Sequence, residues 1–270
     1  MDRQIMQQLN QLIDQGKEVA LVMVSSTSGS APRDEGSMML VDREGNVLAG
    51  TIGGGNIEHT ARKDAAECLK RRQNKTFHYE LTMADRPDAL GMACGGISDV
   101  VVKVFYNNDP LIICGAGHVG QALYGVAQYL PLDTIIIDNR EEYANQDNFP
   151  QARGIYAGDM AQLLSDLDVT ENASIVIITH GHLHDIEVLD AAIKTPARYI
   201  GMIGSRTKVR YCFDELIKRG VDKQLLDKVY SPIGLNIGGE TPGEIAVSIL
   251  AEILMVKYDR DGRPLKKDQK

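Results

Sequence analysis

Four cysteines in 270 residues, with no Cys-x-x-Cys pair among them, are too few and too scattered for a disulfide framework or a zinc ribbon. Cys68, Cys94, Cys114 and Cys212 therefore read as free thiols of a reducing compartment. Nor does any run approach the roughly 18 uncharged apolar residues that a membrane-spanning helix requires. The opening Met1-Asp2-Arg3-Gln4-Ile5 has no basic stretch leading into an apolar one, so no secretory leader is expected and a cytoplasmic location is. Positive charge is also short. Lys and Arg number 29 against 37 Asp and Glu, a net charge of -8, which removes the non-specific pull toward phosphate backbones. Neither nucleic acid nor membrane is an expected partner. The two basic clusters, Lys70-Arg71-Arg72 and Arg263-Pro264-Leu265-Lys266-Lys267, read as solvated ends.

What the chain does contain is material for two cores. Its length exceeds the usual 100 to 200 residues of one domain, and 43% of it is hydrophobic. Ile5, Leu9, Leu12 and Ile13 recur at helical spacing up to Gly16, and Val19 to Val24 is a buried strand. The Ser-, Gly- and Pro-rich Ser25 to Gly36 reads as a loop, followed by a hairpin from Met38–Val41 and Val47–Ala49. A second glycine-rich loop, Thr51 to Gly55, opens into a helix over Ile57 to Arg72. A strand near Phe77 to Leu81, a third loop from Met83 to Gly96 and a β-branched run from Ile97 to Phe105 complete a smaller α/β (α+β) domain over 1–108. Asn107-Asn108-Asp109-Pro110 marks the boundary.

From 109 to 270 short apolar strands alternate with helices, the pattern of a Rossmann-like parallel sheet covered on both faces. A last helix, Pro242 to Val256, carries Pro at its first turn and more apolar positions than one sheet face obviously needs. Ile245, Ile249, Leu250, Ile253 and Leu254 serve either core packing or a homodimer contact.

Leu111 to Cys114 runs into Gly115-Ala116-Gly117-His118-Val119-Gly120 and then a helix, and Asp138 closes the next strand eighteen residues after Gly120. In this setting the glycine pattern predicts a phosphate- or pyrophosphate-binding turn. Gly115 makes the turn, Gly117 lets backbone approach the phosphate, Gly120 lets helix meet strand, and Asp138 accepts from a ribose diol. His118 either touches the ligand or is satisfied by backbone. Thr179-His180-Gly181-His182-Leu183-His184-Asp185 follows a strand, so it belongs at the ligand-binding edge of the sheet, and its order does not match a metallo-β-lactamase signature. Gly204-Ser205-Arg206 follows another strand and is either a further set of donors or a turn with Ser205 as helix cap. Cys94 lies among glycines in Gly91-Met92-Ala93-Cys94-Gly95-Gly96, where backbone donors lower a thiol pKa.

Six separated motifs together make the chain resemble the XdhC/CoxI family, accessory factors of molybdenum hydroxylases such as xanthine dehydrogenase. They are Gly29-Ser30-Ala31-Pro32-Arg33, Gly50 to Glu58, Gly91 to Gly96, Gly115 to Gly120, Ile203-Gly204-Ser205-Arg206, and Pro232 to Leu235 with Glu240-Thr241-Pro242. The resemblance implies a chaperone, not a catalyst. It would bind molybdenum cofactor, as molybdopterin or its cytosine dinucleotide, support its sulfuration with a cysteine desulfurase type of sulfurtransferase, and insert it into an apo molybdenum hydroxylase. On the same resemblance Cys94 contacts the molybdenum or its sulfido ligand, and Arg33 contacts an anion. The donors of Gly53, Gly54 and Gly55 join those of the Rossmann turn in holding an anionic ligand. His180 and Asp185 keep the family's post-strand positions, whereas His182 and His184 are not part of its pattern.

Two other functions fit the turn. One is an NAD(P)-dependent oxidoreductase, which Asp138 permits, although no Tyr-x-x-x-Lys pair sits at a suitable strand end. The other is a nucleotide-sensing regulatory protein.

Overall fold

The structure is a computed structural model and describes residues 2–29, 33–81 and 96–266, with the side chains of His182 and Leu183 outside that description. The chain divides into two compact units, Met1–Asn107 and Asn108–Lys270.

The first unit contains α1 (Asp2–Asp14), β1 (Val19–Ser28), β2 (Met38–Val41), β3 (Val47–Gly50), α2 (Gly55–Arg71), β4 (Lys75–Glu80) and β5 (Ile97–Phe105). Its strands form an antiparallel sheet in the order β3-β2-β1-β5-β4. Alternation decides the layers. Val100, Val102 and Val104 of β5 turn to one face and join Ile57, Ala61, Ala65 and Leu69 of α2. On the other face α1 lays Ile5, Leu9 and Leu12 against Val19 and Leu40. The sequence reading places Ser25 in a loop, but β1 continues to Ser28 past a register shift between Val24 and Ser26. Pairing with β5 extends it, and its hydroxyls find partners there. Ser26 Oγ donates to the Asp99 carboxylate at 2.7 Å and Ser25 Oγ to the Asp99 carbonyl at 3.1 Å.

The second unit runs β6 (Asp109–Cys114), α3 (His118–Ala127), β7 (Leu132–Asp138), β8 (Gly154–Ala157), α4 (Met160–Asp166), β9 (Ser174–Ile177), α5 (His182–Ala192), β10 (Tyr199–Met202), α6 (Arg206–Lys218), α7 (Lys223–Leu226) and α8 (Pro242–Lys257). All its strand pairs are parallel, in the order β10-β9-β6-β7-β8, so the winding direction reverses between β6 and β9. This is a doubly wound, Rossmann-like sheet. Successive residues of β6 face opposite layers. Ile112 and Cys114 pack with Leu164, Leu189, Cys212 and Leu216 of α4 to α6, while Leu111 and Ile113 pack with Leu123 of α3 and Ile249, Leu250 and Ile253 of α8.

Of the apolar surplus of α8, Ile249, Leu250 and Ile253 are core, each at most 3% exposed within their own unit, while Ile245 and Leu254 are half-buried. The helix is anchored by a capping box between Thr241 and Glu244, with Pro242 in its first turn. Tyr199 OH donates to Glu252 of this helix at 2.6 Å, and Gly234 N donates to the same carboxylate oxygen at 2.9 Å. At the amino edge of the sheet, buried Asp109 pairs with Arg198 at 2.9 Å and Lys257 at 3.0 Å. Among the described residues no helix is long and apolar enough to cross a membrane.

Candidate functional site

The reversal between β6 and β9 opens a crevice at the carboxyl ends of the strands, the ligand position of open α/β sheets. The turn after β6 is shaped by three glycines with different reasons for being glycine. Gly115 has φ of 126°, and a Cβ there would stand 2.4 Å from the Ile178 carbonyl oxygen, so this turn and the one after β9 touch backbone to backbone. A Cβ on Gly120 would fall 2.1 Å from the Gly115 carbonyl oxygen, which lets α3 start directly above β6. Gly117 is different: apart from its own chain neighbours, no atom lies within 4 Å of the position its Cβ would take. It is also the N-cap of α3, with no side-chain cap on the first turn. Uncapped N–H groups at the positive end of a helix, beside open space, form an anion seat. His118, the first residue of α3, is exposed there.

Two buried carboxylates flank this turn. Asp138, at the end of β7, is 0% exposed and accepts from Ala116 N at 2.7 Å. Arg140 donates to it three times, from backbone N at 3.0 Å, Nε at 2.9 Å and Nη2 at 2.9 Å. Burial alone would raise the Asp138 pKa. The Arg140 side chain and the Ala116 and Arg140 N–H groups outweigh it and hold the carboxyl below the usual aspartate range. The sequence reading gives Asp138 to a ribose diol. In the structure Arg140, two residues on, engages both its oxygens, and Oδ2 also accepts from Ala116 N and so ties β7 to the β6 turn.

Asp185, in the first turn of α5, is also 0% exposed. Thr179 Oγ1 donates to it at 2.8 Å and Lys208 Nζ lies 2.5 Å from its other oxygen. Asp185 accordingly holds the turn after β9 and does not line the crevice as a free acceptor. His180 is exposed at that turn, its ring 5.5 Å from that of His184, whose Nδ1 is 3.9 Å from Glu187. Among the described residues no three His, Cys, Asp or Glu side chains are grouped to hold a metal ion. After β10, Ser205 caps α6 by accepting from Lys208 N at 3.2 Å, Gly204 leaves room for the Lys208 stem, and Arg206 is exposed. The structure therefore brings Gly115, Gly117, His118, Gly120, Asp138, His180, Asp185, Gly204, Ser205 and Arg206 to one edge of one sheet. Sequence reasoning missed Arg140 and Lys208. Their signal was spacing: a cation two residues after a strand-closing acid, and another one turn into a glycine-led helix.

In the first unit two of the expected donors, Gly53 N and Gly54 N, are occupied. Glu58 of α2 turns back on its own N-terminus and accepts from Gly54 N at 3.1 Å, Ile52 N at 3.2 Å and the Thr51 hydroxyl, while Gly53 N donates to Thr51 Oγ1 at 3.2 Å. Gly55 begins the helix, and Ile52 N, Gly54 N and the Thr51 hydroxyl cradle a carboxylate of this chain. Burial raises the Glu58 pKa, and the Thr51, Gly54 and Ile52 hydrogen bonds with the Arg62 charge bring it below the ordinary glutamate value. Arg33 is exposed, and Cys94 lies outside the described residues. A row that sequence reasoning did not find crosses three strands: Asp99 of β5 accepts from Ser26 of β1 at 2.7 Å and pairs with His78 Nδ1 of β4 at 2.6 Å.

Residues 111–253 match the XdhC Rossmann domain, and residues 12–80 match the XdhC and CoxI family. The chain is 33% identical to the uncharacterized protein YqeB of Escherichia coli over 93% of its own length and 46% of that protein. It is 31% identical to a probable xanthine dehydrogenase subunit of Bacillus subtilis, over 54% of this chain and 42% of that one. The chain thus spans less than half the length of these two relatives. Identity to the molybdenum cofactor insertion chaperone PaoD of Escherichia coli is 20%, covering 91% of this chain and 86% of that protein. In fold, the chain resembles a crystal structure described as a xanthine dehydrogenase from Bacillus halodurans, with a TM-score of 0.53 at 21% identity and 97% coverage of each chain.

Proposed function

Because the chain belongs to the XdhC and CoxI family, we propose that it is an accessory protein that receives molybdenum cofactor as cargo and passes it to a molybdenum hydroxylase. The observation that carries this is the turn at Gly117, an uncapped helix N-terminus with no protein atom where a side chain would stand. Molybdopterin ends in a phosphate, and its cytosine dinucleotide carries a bridging pyrophosphate, so either form offers the anion such a turn accepts. Once delivered, the cofactor supplies the redox chemistry of the hydroxylase; this chain's part is to grip and release. In that role Gly115, Gly117 and Gly120 form the phosphate turn, His118, His180 and Arg206 stand at its rim, and Cys94 contacts the metal or its sulfido ligand. Sulfuration by a sulfurtransferase of the cysteine desulfurase type takes place on the bound cargo.

The NAD(P) alternative loses its main support because the Asp138 carboxylate is engaged by Ala116 and Arg140 and is 0% exposed. The test is retention of molybdopterin by the purified chain, read as the fluorescent oxidised pterin, with NAD as competitor and with Gly117→Ala and Cys94→Ala variants. The expected result is stoichiometric pterin in the parent, loss in Gly117→Ala, and no displacement by NAD. Saturable NAD binding without pterin would overturn the proposal.

A further inference from the structure

Three turns meet at the carboxyl edge, and each is joined to its neighbour. Asp138 joins β7 to the β6 turn through Ala116 N at 2.7 Å. Gly115 brings the β6 turn against Ile178 and Thr179, the backbone that follows β9. The third link is Asp185 with Lys208: the acid sits in the first turn of α5, the base in the first turn of α6, and Nζ is 2.5 Å from Oδ2. The acid is 0% exposed and the lysine side chain 16%. No group other than Lys208 reaches that carboxylate oxygen among the described residues, so Lys208 alone compensates it. The local sequence is arranged for this contact. A Cβ on Gly204 would stand 2.9 Å from Lys208 Cδ, and the Ser205 hydroxyl accepts from Lys208 N, so both residues before Arg206 serve the lysine's course.

Resting on the anion-binding role proposed above, we infer that Lys208 is a positioning and charge-compensating residue of that site: it ties Asp185, and through it the Thr179 hydroxyl, to the first turn of α6, which steadies the β9 turn that the Gly115 turn touches, and it cancels the buried charge of Asp185. Two anionic groups border the phosphate seat, and each has its own cation, Arg140 for Asp138 and Lys208 for Asp185. Without Lys208 the edge carries an uncompensated negative charge next to the turn that must accept a phosphate, in a region where water screens poorly. Asp185 would then be free to draw the β9 turn toward solvent, separating Thr179 from Gly115.

The experiment uses the full chain with Lys208→Met, Lys208→Arg and the double variant Lys208→Met/Asp185→Asn. It has two readouts: amide hydrogen exchange of peptides covering 176–185, and calorimetric binding of inorganic pyrophosphate as the anion probe. In Lys208→Met, exchange over 179–185 rises about tenfold or more while peptides of β6 and α8 keep their rates, and pyrophosphate binding weakens by about tenfold, the effect of one unit charge about 12 Å away at an effective dielectric of about 20. Lys208→Arg keeps the charge and retains most of the binding. The double variant removes both charges; it guards against simple misfolding of the single variant, and it regains pyrophosphate affinity relative to Lys208→Met. Unchanged exchange in Lys208→Met, or a double variant that binds no better than the single one, overturns the inference. If the parent chain ignores pyrophosphate while exchange still rises in Lys208→Met, the anion-site reading fails and the positioning role stands on its own.

Discussion

Gly117, Gly120 and Gly125 separate folding from binding, because the same added methyl meets backbone at one of them and open space at the other two. At Gly120 the methyl would lie 2.1 Å from the Gly115 carbonyl oxygen, a backbone atom that cannot swing aside, so α3 must lift from β6. Overpacking of this kind costs about 1–3 kcal/mol, with the upper end expected against backbone. Gly125 lies in the same helix with nothing within 4 Å, so Gly125→Ala gains about 0.5–1 kcal/mol from helix propensity alone. Gly117 is the N-cap in extended conformation with φ of -72°, which alanine adopts freely, and its methyl enters open space. Gly117→Ala therefore costs less than about 1 kcal/mol, the loss of a good N-cap residue, yet places a methyl where the phosphate would sit. Urea unfolding followed by circular dichroism gives the stability order Gly125→Ala, parent, Gly117→Ala, Gly120→Ala. Pterin retention is measured on the same preparations and falls in the last two while staying at the parent level in the first. If Gly117→Ala unfolds as readily as Gly120→Ala, the space beside the turn is not open. If it unfolds like the parent and keeps its pterin, the phosphate does not sit there.

Two further outcomes follow from ionisable groups that are buried or half-buried. Asp138 and Glu58 both have folded pKa values below their ordinary 3.8 and 4.5, so each contributes stability that is complete above those values and is lost as pH falls through the lower folded pKa. Asp138→Asn is expected to lower stability at neutral pH and to flatten acid unfolding below about pH 4, measured as urea midpoints across pH; an unchanged acid slope would refute it. Burial raises the thiol pKa of Cys68 and Cys212 and pushes Cys114 up to about 12, so none of the three should take up iodoacetamide at pH 8 until urea unfolds the chain, as peptide mass mapping would show.

The Rossmann half was legible because its signals are redundant. Strand, glycine turn and helix follow one another from Leu111, and buried strands such as Ser174–Ile177 appear as unbroken apolar runs. What escaped was structure held by pairing. β8, Gly154–Ala157, is a half-exposed edge strand with neither alternation nor an apolar run, and it exists because it pairs with β7. α7, Lys223–Leu226, is one turn long and depends on its Asp222 cap. Ser25 to Ser28 has loop composition, yet the Asp99 carboxylate and carbonyl draw its hydroxyls into β1. The first-unit glycine loop was legible as a loop feeding a helix. Its occupant was not, since nothing in the spacing says that Glu58 will fold back on the donors of its own helix.

The site teaches a narrower rule about reading an acid at the end of the second strand of a Rossmann unit. In the fingerprint the acid after Gly-x-Gly-x-x-Gly is taken as a ribose acceptor, which requires a carboxylate with free lone pairs facing the crevice. Here Arg140 follows Asp138 by two residues, close enough for its backbone N–H and its guanidinium to reach one carboxylate together. The guanidinium also stacks on Tyr143 at 4.0 Å, which fixes it over the acid. With Ala116 N on the remaining lone pair, the acid becomes a tie between turns, and its charge is cancelled beside an anion seat. A ligand gripped mainly by its phosphate is compatible with that arrangement, since the phosphate makes no demand on the acid. A nucleotide gripped by its ribose diol needs the opposite. Asp138 with Arg140 thus weighs toward a phosphate-anchored cargo and away from a nicotinamide cofactor, and the Lys208–Asp185 pair on the other side of the turn weighs the same way.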